Sequence, residues 1–163
     1  MSLFFAISAC ATVRPKPHLL AKANALPLAL SDDFEFRKTK LTDLGSPPVA
    51  GRQDESIAFE RAYRMFGAIT QLDRQQRTGN YFDFFWRAKR TANITVRLEY
   101  RQEKLRSFVQ AREISYSNAR GHYKTEFAIV GDDYADDGRV IAWRALLIEN
   151  GRIVALNRSF LWE

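Results

Sequence analysis

The chain holds one cysteine, Cys10, and two histidines, His18 and His122, in 163 residues. A single thiol rules out an internal disulfide framework, and so few soft ligands argue against a structural zinc site or a Cys–His catalytic pair. Proline is confined to the front: Pro15, Pro17, Pro27, Pro47 and Pro48 are all five of them. Proline lacks the backbone donor that a central strand needs, so its absence downstream fits an uninterrupted sheet. No apolar run reaches the ~20 residues that span a bilayer as a helix. Five consecutive basic residues occur nowhere. The net charge of +6 is therefore spread among interspersed signs rather than massed in a nucleic-acid-binding tail. Neither a Gly-x-Ser-x-Gly elbow nor a glycine-rich phosphate loop is present. A non-catalytic protein without a cofactor is the expectation.

What the chain does have is apolar and aromatic substance, 46% and 13% of residues, enough for one packed domain at this length. Its organising stretch is residues 139–162, two apolar runs around Asn150-Gly151. That dipeptide supplies the two positive φ values of a type I′ turn, so the runs pair as a β-hairpin. A regular two-residue loop sets Glu149 opposite Arg152, Ile148 opposite Ile153, Leu147 opposite Val154, Trp143 opposite Arg158 and Ile141 opposite Phe160. Trp162 falls opposite Arg139, which suggests a structural cation–π contact at that end.

Upstream, alternation marks further strands. Residues 57–66 permit a short helix, but Tyr63, Met65, Gly67 and Ile69 alternate, which favours a strand over 64–72. Phe82, Phe84, Trp86 and Ala88 share one face of the next strand. Ile94, Val96, Leu98 and Tyr100 line a third, with Thr95, Arg97, Glu99 and Arg101 facing water. A fourth follows over 109–116, Asn118–Gly121 reads as a turn, and Tyr123, Thr125, Phe127 and Ile129 line a fifth. With the hairpin this makes about seven short strands: an all-β, antiparallel β-sandwich over residues 57–163. In strand number and size the domain resembles immunoglobulin-like and fibronectin type III modules, without the cysteine pair of the antibody type.

The front of the chain carries a second resemblance. The run Leu3-Phe4-Phe5-Ala6 leads into Ile7-Ser8-Ala9-Cys10, which resembles the lipobox of bacterial lipoproteins, although no basic residue precedes the apolar core. The resemblance implies a signal peptide over residues 1–9, acylation of Cys10, and a lipid-anchored linker over residues 10–56 ahead of the domain. Phe34 and Phe36 would add a short edge strand. Ala11 after the cysteine leans towards the outer membrane, facing the periplasm. The implied partners are the membrane, through the lipid, and a protein of the envelope.

Two constellations are candidate sites. Tyr81 and Phe85 on one strand, with Arg97 and Arg101 on the next, would form a stacking and phosphate-binding surface for nucleic acid or another anion if those faces lie side by side and exposed. Arginine stems covering aromatic rings explain the same pattern, and nucleic acid is disfavoured for an exported protein. Asp132, Asp133, Asp136 and Asp137 offer hard oxygen ligands for Ca²⁺. The loop fails the EF-hand pattern, because Ala135 and Arg144 stand where ligands are needed, so a charged turn without metal is the reading adopted.

Overall fold

The computed structural model describes residues 17–20, 24–45 and 55–162. In chain order the elements are β1 (His18–Leu20), β2 (Phe34–Asp43), α1 (Glu55–Met65), α2 (Gln71–Arg77), β3 (Gly79–Gln102), β4 (Gln110–Val130), α3 (Asp132–Asp137), β5 (Val140–Glu149) and β6 (Arg152–Arg158). The strands form one antiparallel sheet in the order β1-β4-β3-β5-β6. β4 accompanies nearly the whole of β3 along one edge. The other edge is shared, β2 pairing with the first half of β3 and β5 with the second.

Such a sheet must fold over. Trp143 pairs with Tyr100 across β5 and β3, yet its ring centroid lies 5.5 Å from Phe84 and 6.1 Å from Phe82. A straight strand would hold Phe84 and Tyr100 about 50 Å apart at ~3.3 Å per residue. The bend falls where pairing slips, between Ala88, Ala92 and Ile94 of β3. Opposite it, β4 carries two positive φ values, 52° at Asn118 and 93° at Gly121. Ala88, Ala92 and Ala119 are buried here, and their small side chains let the two halves close. The Asn118 N–H donates to the Asn93 side-chain oxygen at 2.9 Å, which occupies a donor that the broken ladder leaves open.

Between the halves lies an aromatic core. Phe84 is edge-on to Phe36 and Phe127, and Trp86 stacks on Tyr123 with Tyr116 edge-on. The Trp86 indole N–H donates to Thr125 Oγ1 at 2.9 Å. A smaller cluster on the outer face of the terminal hairpin joins Leu146, Ile148 and Ile153, with Leu26 laid over them.

Where seven short strands were expected over residues 57–163, the described residues there form four, β3 to β6, two of them long. Asn118–Gly121 does not reverse the chain but bends it within β4, and the break expected before Ile94 is the matching bend in β3. Residues 64–72 are helical rather than extended at both ends. Glu60 and Arg64 pair one turn apart in α1, and a reciprocal capping box between Thr70 and Asp73 starts α2. The acidic loop is the short helix α3.

The hairpin is present, with φ of 49° at Asn150 and 73° at Gly151. Its register holds for Glu149–Arg152 and Ile148–Ile153. A bulge at Val154 then sets Leu147 opposite Ala155 and Arg144 opposite Arg158. Trp143 is thereby freed for the core, and Phe160 projects into solvent.

Where the expected linker is described, it is built into the sheet. β1 pairs with β4 and β2 with β3. Residues 27–31 run along the free edge of β6, where the Ile153 N–H donates to Pro27 O, and Ala29 and Ser31 donate to Ile153 O and Val154 O. Cys10 and the residues before it lie outside the described residues, as do Pro47 and Pro48. No helix among the described residues is long and apolar enough to cross a membrane.

Candidate ligand groove

Because β3 folds over, its two outer faces point apart, and the residues expected to form one binding surface are separated. Tyr81 is 9% exposed; its hydroxyl donates to Arg77 O at 2.7 Å and the Arg64 guanidinium lies over its ring at 4.7 Å. Burial pushes the Tyr81 hydroxyl pKa up, against the opposing pull of Arg64 and Arg77. Phe85 is partly covered by Lys124. On the other half, Arg97 is 8% exposed and is spent on Glu113 at 2.6 Å, Asn24 O at 3.0 Å and Glu99. Arg101 lies over the Trp162 ring and donates to Leu161 O. No shared stacking and phosphate surface results.

Glu99, expected on a solvated face, is 3% exposed. It is held by Arg97 and by Arg144 at 2.6 Å. The C-terminal Trp162 covers this face, with Arg101 and Arg144 both at 5.1 Å from its ring, not Arg139. Alternation predicts opposite faces correctly, but it cannot tell that a chain end will cap the polar one.

The four aspartates of α3 also diverge. Asp133 pairs with Arg112 and Asp137 accepts from Gln110 at 3.2 Å. The Gln102 amide nitrogen, fully buried, donates to Asp133 O and Gly138 O and so anchors the helix by its backbone. No group of three or more His, Cys, Asp or Glu side chains among the described residues is arranged to hold a metal ion.

Of several concavities among the described residues, the one with the most apolar lining lies at the seam where the folded sheet almost closes. β2 and β6 run side by side, linked by a side-chain hydrogen bond from Asn157 Nδ2 to Thr39 Oγ1 at 2.9 Å. Beyond that link the seam opens into a groove of about 410 Å³, walled by Leu41, Phe82, Val140, Ile141, Trp143 and Leu161, a size typical of small-ligand sites. Phe82 and Trp143 form its buried floor, and Leu41, Ile141 and Leu161 its exposed rim.

Its polar groups come from strand ends. Asn80, at the start of β3, accepts the Val140 N–H on Oδ1 at 2.8 Å. Ser159, just past β6, accepts the Trp143 N–H on Oγ at 3.0 Å. Asp43 accepts the Gly45 N–H at 2.8 Å. Arg139 stands at the mouth, 3.6 Å from Glu103, with both side chains more than half exposed. Apart from the apolar alternation of the terminal hairpin, nothing in the sequence marks these residues as neighbours: they converge from four separate strand ends.

A second surface departs from the usual helix polarity. α1 docks on the sheet by its charged side: Arg64 holds Asp83 at 2.9 and 3.0 Å and Glu60 at 2.9 Å, with Lys40 on Glu60 at 3.5 Å. Phe59 and Tyr63, one turn apart on a neighbouring stripe, and Phe66, just past the helix, face solvent; Phe59 is 71% and Phe66 85% exposed.

Compared with protein-family models, with curated proteins and with solved structures, the chain has no match.

Proposed function

We propose that this protein is a non-catalytic binding module of the bacterial cell envelope, held at a membrane by a lipid on Cys10 and retaining its ligand in the groove between β2 and the terminal hairpin. The observation that carries the binding half is the groove itself: apolar walls, an exposed apolar rim, and a few polar groups along it fixed by backbone hydrogen bonds. Those are the means of holding a molecule in place. The anchoring half rests on the lipobox-like Ile7-Ser8-Ala9-Cys10, and Ala11 after it supports a position on the outer membrane, facing the periplasm. The folded-over sheet supports a sandwich-like reading of the domain, with two facing layers around one core, the layering by which it resembles immunoglobulin-like and fibronectin type III modules. A protein partner in the envelope fits the outward stripe of α1, since contiguous exposed aromatic area marks interaction surfaces.

Growth of an expressing bacterium with a radiolabelled fatty acid tests the anchor. Label that follows the protein into the membrane fraction and disappears in Cys10→Ala supports it. An unlabelled protein recovered from the soluble fraction overturns it.

A further inference from the structure

The exposed apolar surface of α1 does not stop at the helix. Ile69, in the turn to α2, is 84% exposed, and Leu72 in the first turn of α2 is exposed as well. With Phe59, Tyr63 and Phe66 they put five large apolar side chains in water within fourteen residues, area of the kind that marks an interaction surface. Such area alone suits a protein or a bilayer. Charge and reach separate the two.

The sheet face that carries α1 has Lys38, Phe85 and Lys124 side by side across β2, β3 and β4, with Lys40, Asp83 and Glu126 in the next row. Its carboxylates are already engaged, Asp83 and Glu126 by both Arg64 and Lys124, and Glu60 of α1 by Arg64 and Lys40. Glu35 is paired with Arg37, and Asp73 serves the cap of α2. Glu55 stands at the far end of α1 from Phe66. Lys38 and Arg87 on the sheet and Arg74 on α2 have no carboxylate partner among the described residues. The surplus around the apolar stripe is therefore positive, which suits anionic headgroups.

Reach is set by β1, which pairs with residues 111–113 of β4. From there Arg112 Nη1 donates to Ala128 O at 2.9 Å, and Glu126, two residues away on the same strand, lies 3.6 Å from Arg64 Nη1 of α1. β1 and α1 thus share one edge of the fold. Cys10 precedes His18 by eight residues, a span of about 28 Å at most at ~3.3–3.6 Å per residue. A lipid on Cys10 holds that edge close to the headgroups.

We infer that the stripe of Phe59, Tyr63, Phe66 and Ile69 lies in the interfacial layer of an anionic membrane, with Lys38 and Arg87 turned to the headgroups. The inference rests on the envelope reading and goes beyond it, giving the stripe lipid rather than protein to cover it and the domain a fixed side towards the bilayer. Aromatic rings favour the headgroup level, an apolar helix face sinks into the boundary with the acyl chains, and each basic side chain near an anionic surface adds to the attraction.

The test uses the full-length chain carrying Cys10→Ala, so that no attached lipid contributes, with Phe66→Trp as a reporter in the stripe. It is mixed with vesicles of phosphatidylglycerol or of phosphatidylcholine, each with brominated acyl chains that quench tryptophan on contact. Trp86, Trp143 and Trp162 are buried, so the chain without the reporter is the control, and it also accounts for vesicle binding by the apolar residues 1–9. Phosphatidylglycerol is expected to quench the reporter with about tenfold higher affinity than phosphatidylcholine, and the preference shrinks as salt is raised. Phe59→Ser with Ile69→Ser, added to the reporter chain, weakens association about tenfold on both lipids. Lys38→Glu with Arg87→Glu weakens it about tenfold on phosphatidylglycerol and leaves phosphatidylcholine unchanged.

The proposal is overturned if neither lipid quenches the reporter, if phosphatidylcholine binds as well as phosphatidylglycerol, or if Phe59→Ser with Ile69→Ser leaves quenching untouched. Dimerisation without lipid that Phe66→Ser abolishes also overturns it, by assigning the stripe to a second copy. So does a discrete protein adduct formed in cells by a photoreactive residue at position 66 with no lipid adduct, which assigns the stripe to an envelope protein. The reporter chain lacks the Cys10 thiol and is read apart from fatty-acid labelling, so a failed anchor and a failed stripe are distinguishable.

Discussion

Arg64 Nη2 donates to both carboxylate oxygens of Asp83, at 3.0 and 2.9 Å, and that ion pair fastens α1 to the sheet. The two side chains are nearly buried, at 11% and 4% exposure. Burial would lower the Arg64 pKa, but the charges and hydrogen bonds of Asp83 and Glu60 outweigh it and raise the pKa. The helix is thus held by charge and shows its aromatic stripe to water, the reverse of the common amphipathic arrangement.

Arg64→Ala is expected to destabilise the fold by about 2–3 kcal/mol in urea unfolding. Breaking a buried pair usually costs ~3–5 kcal/mol because one charge is left uncompensated. Here Lys124, 3.3 Å from Asp83, softens the loss. Phe59→Ser in α1 and Phe66→Ser just past its end, both solvent-facing, should each change stability by less than about 0.5 kcal/mol. A larger loss in Phe66→Ser than in Arg64→Ala would show that the helix docks by its aromatic face instead.

The same network sets the acid limb of stability. Burial alone would raise the pKa values of Glu60 and Glu126, but hydrogen bonds and charge from Arg64 and Lys40, and from Lys124 and Arg64, outweigh it and hold both below the usual carboxylate range. With folded pKa values below the unfolded ones, the unfolded chain takes up more protons between the two. This contribution is present above the ordinary carboxylate value of 4.5 and is lost as pH falls through the lowered range. Urea midpoints measured from pH 6 to pH 3 should fall over that window, and the fall should be shallower in Arg64→Ala.

At high pH the sign reverses. Burial raises the hydroxyl pKa of Tyr100 and of Tyr116, the latter against the pull of its hydrogen bond with Thr125. The unfolded chain then loses its protons first. The stability from keeping these phenols neutral is whole below the ordinary tyrosine value of 10.0 and is lost as pH rises through the raised folded range. Ultraviolet titration of the native protein should show tyrosines ionising later than in the urea-unfolded chain, and a single coincident transition would contradict this.

The fold of β3 depends on small residues at its inner bend. Ala119→Leu, at a fully buried site opposite Ala92, should cost about 1–3 kcal/mol by overpacking. Phe84→Ala removes a fully buried ring that touches Phe36, Phe82, Phe127 and Trp143 and so joins the two halves. A cost of about 3–5 kcal/mol is expected. Thermal and urea unfolding of the two variants check both figures, and additivity in the double variant would mean that bend and core act independently.

Local chemistry wrote a good part of this into the chain. The alternation through Phe82–Ala88 and Ile94–Tyr100 names the inner residues of β3, Asn150-Gly151 makes its turn, and the absence of late prolines allows the long strands. Other features needed partners distant in sequence. Asn118 and Gly121 supply positive φ, which serves a reversal and a bend equally well, and only the continuous pairing of β3 with β4 selects the bend. The bulge at Val154 follows from Trp143 being drawn onto Phe82 and Phe84. Arg97 and Glu99 are buried because Asn24 and Trp162 arrive over them, and Asn80 meets Val140 only after the sheet has folded over. A residue's own neighbours decide which face its side chain takes, since successive side chains on a strand must alternate. Whether that face meets water, a ring or a groove is settled by chain segments far away, whose arrival depends on the summed packing of the whole domain.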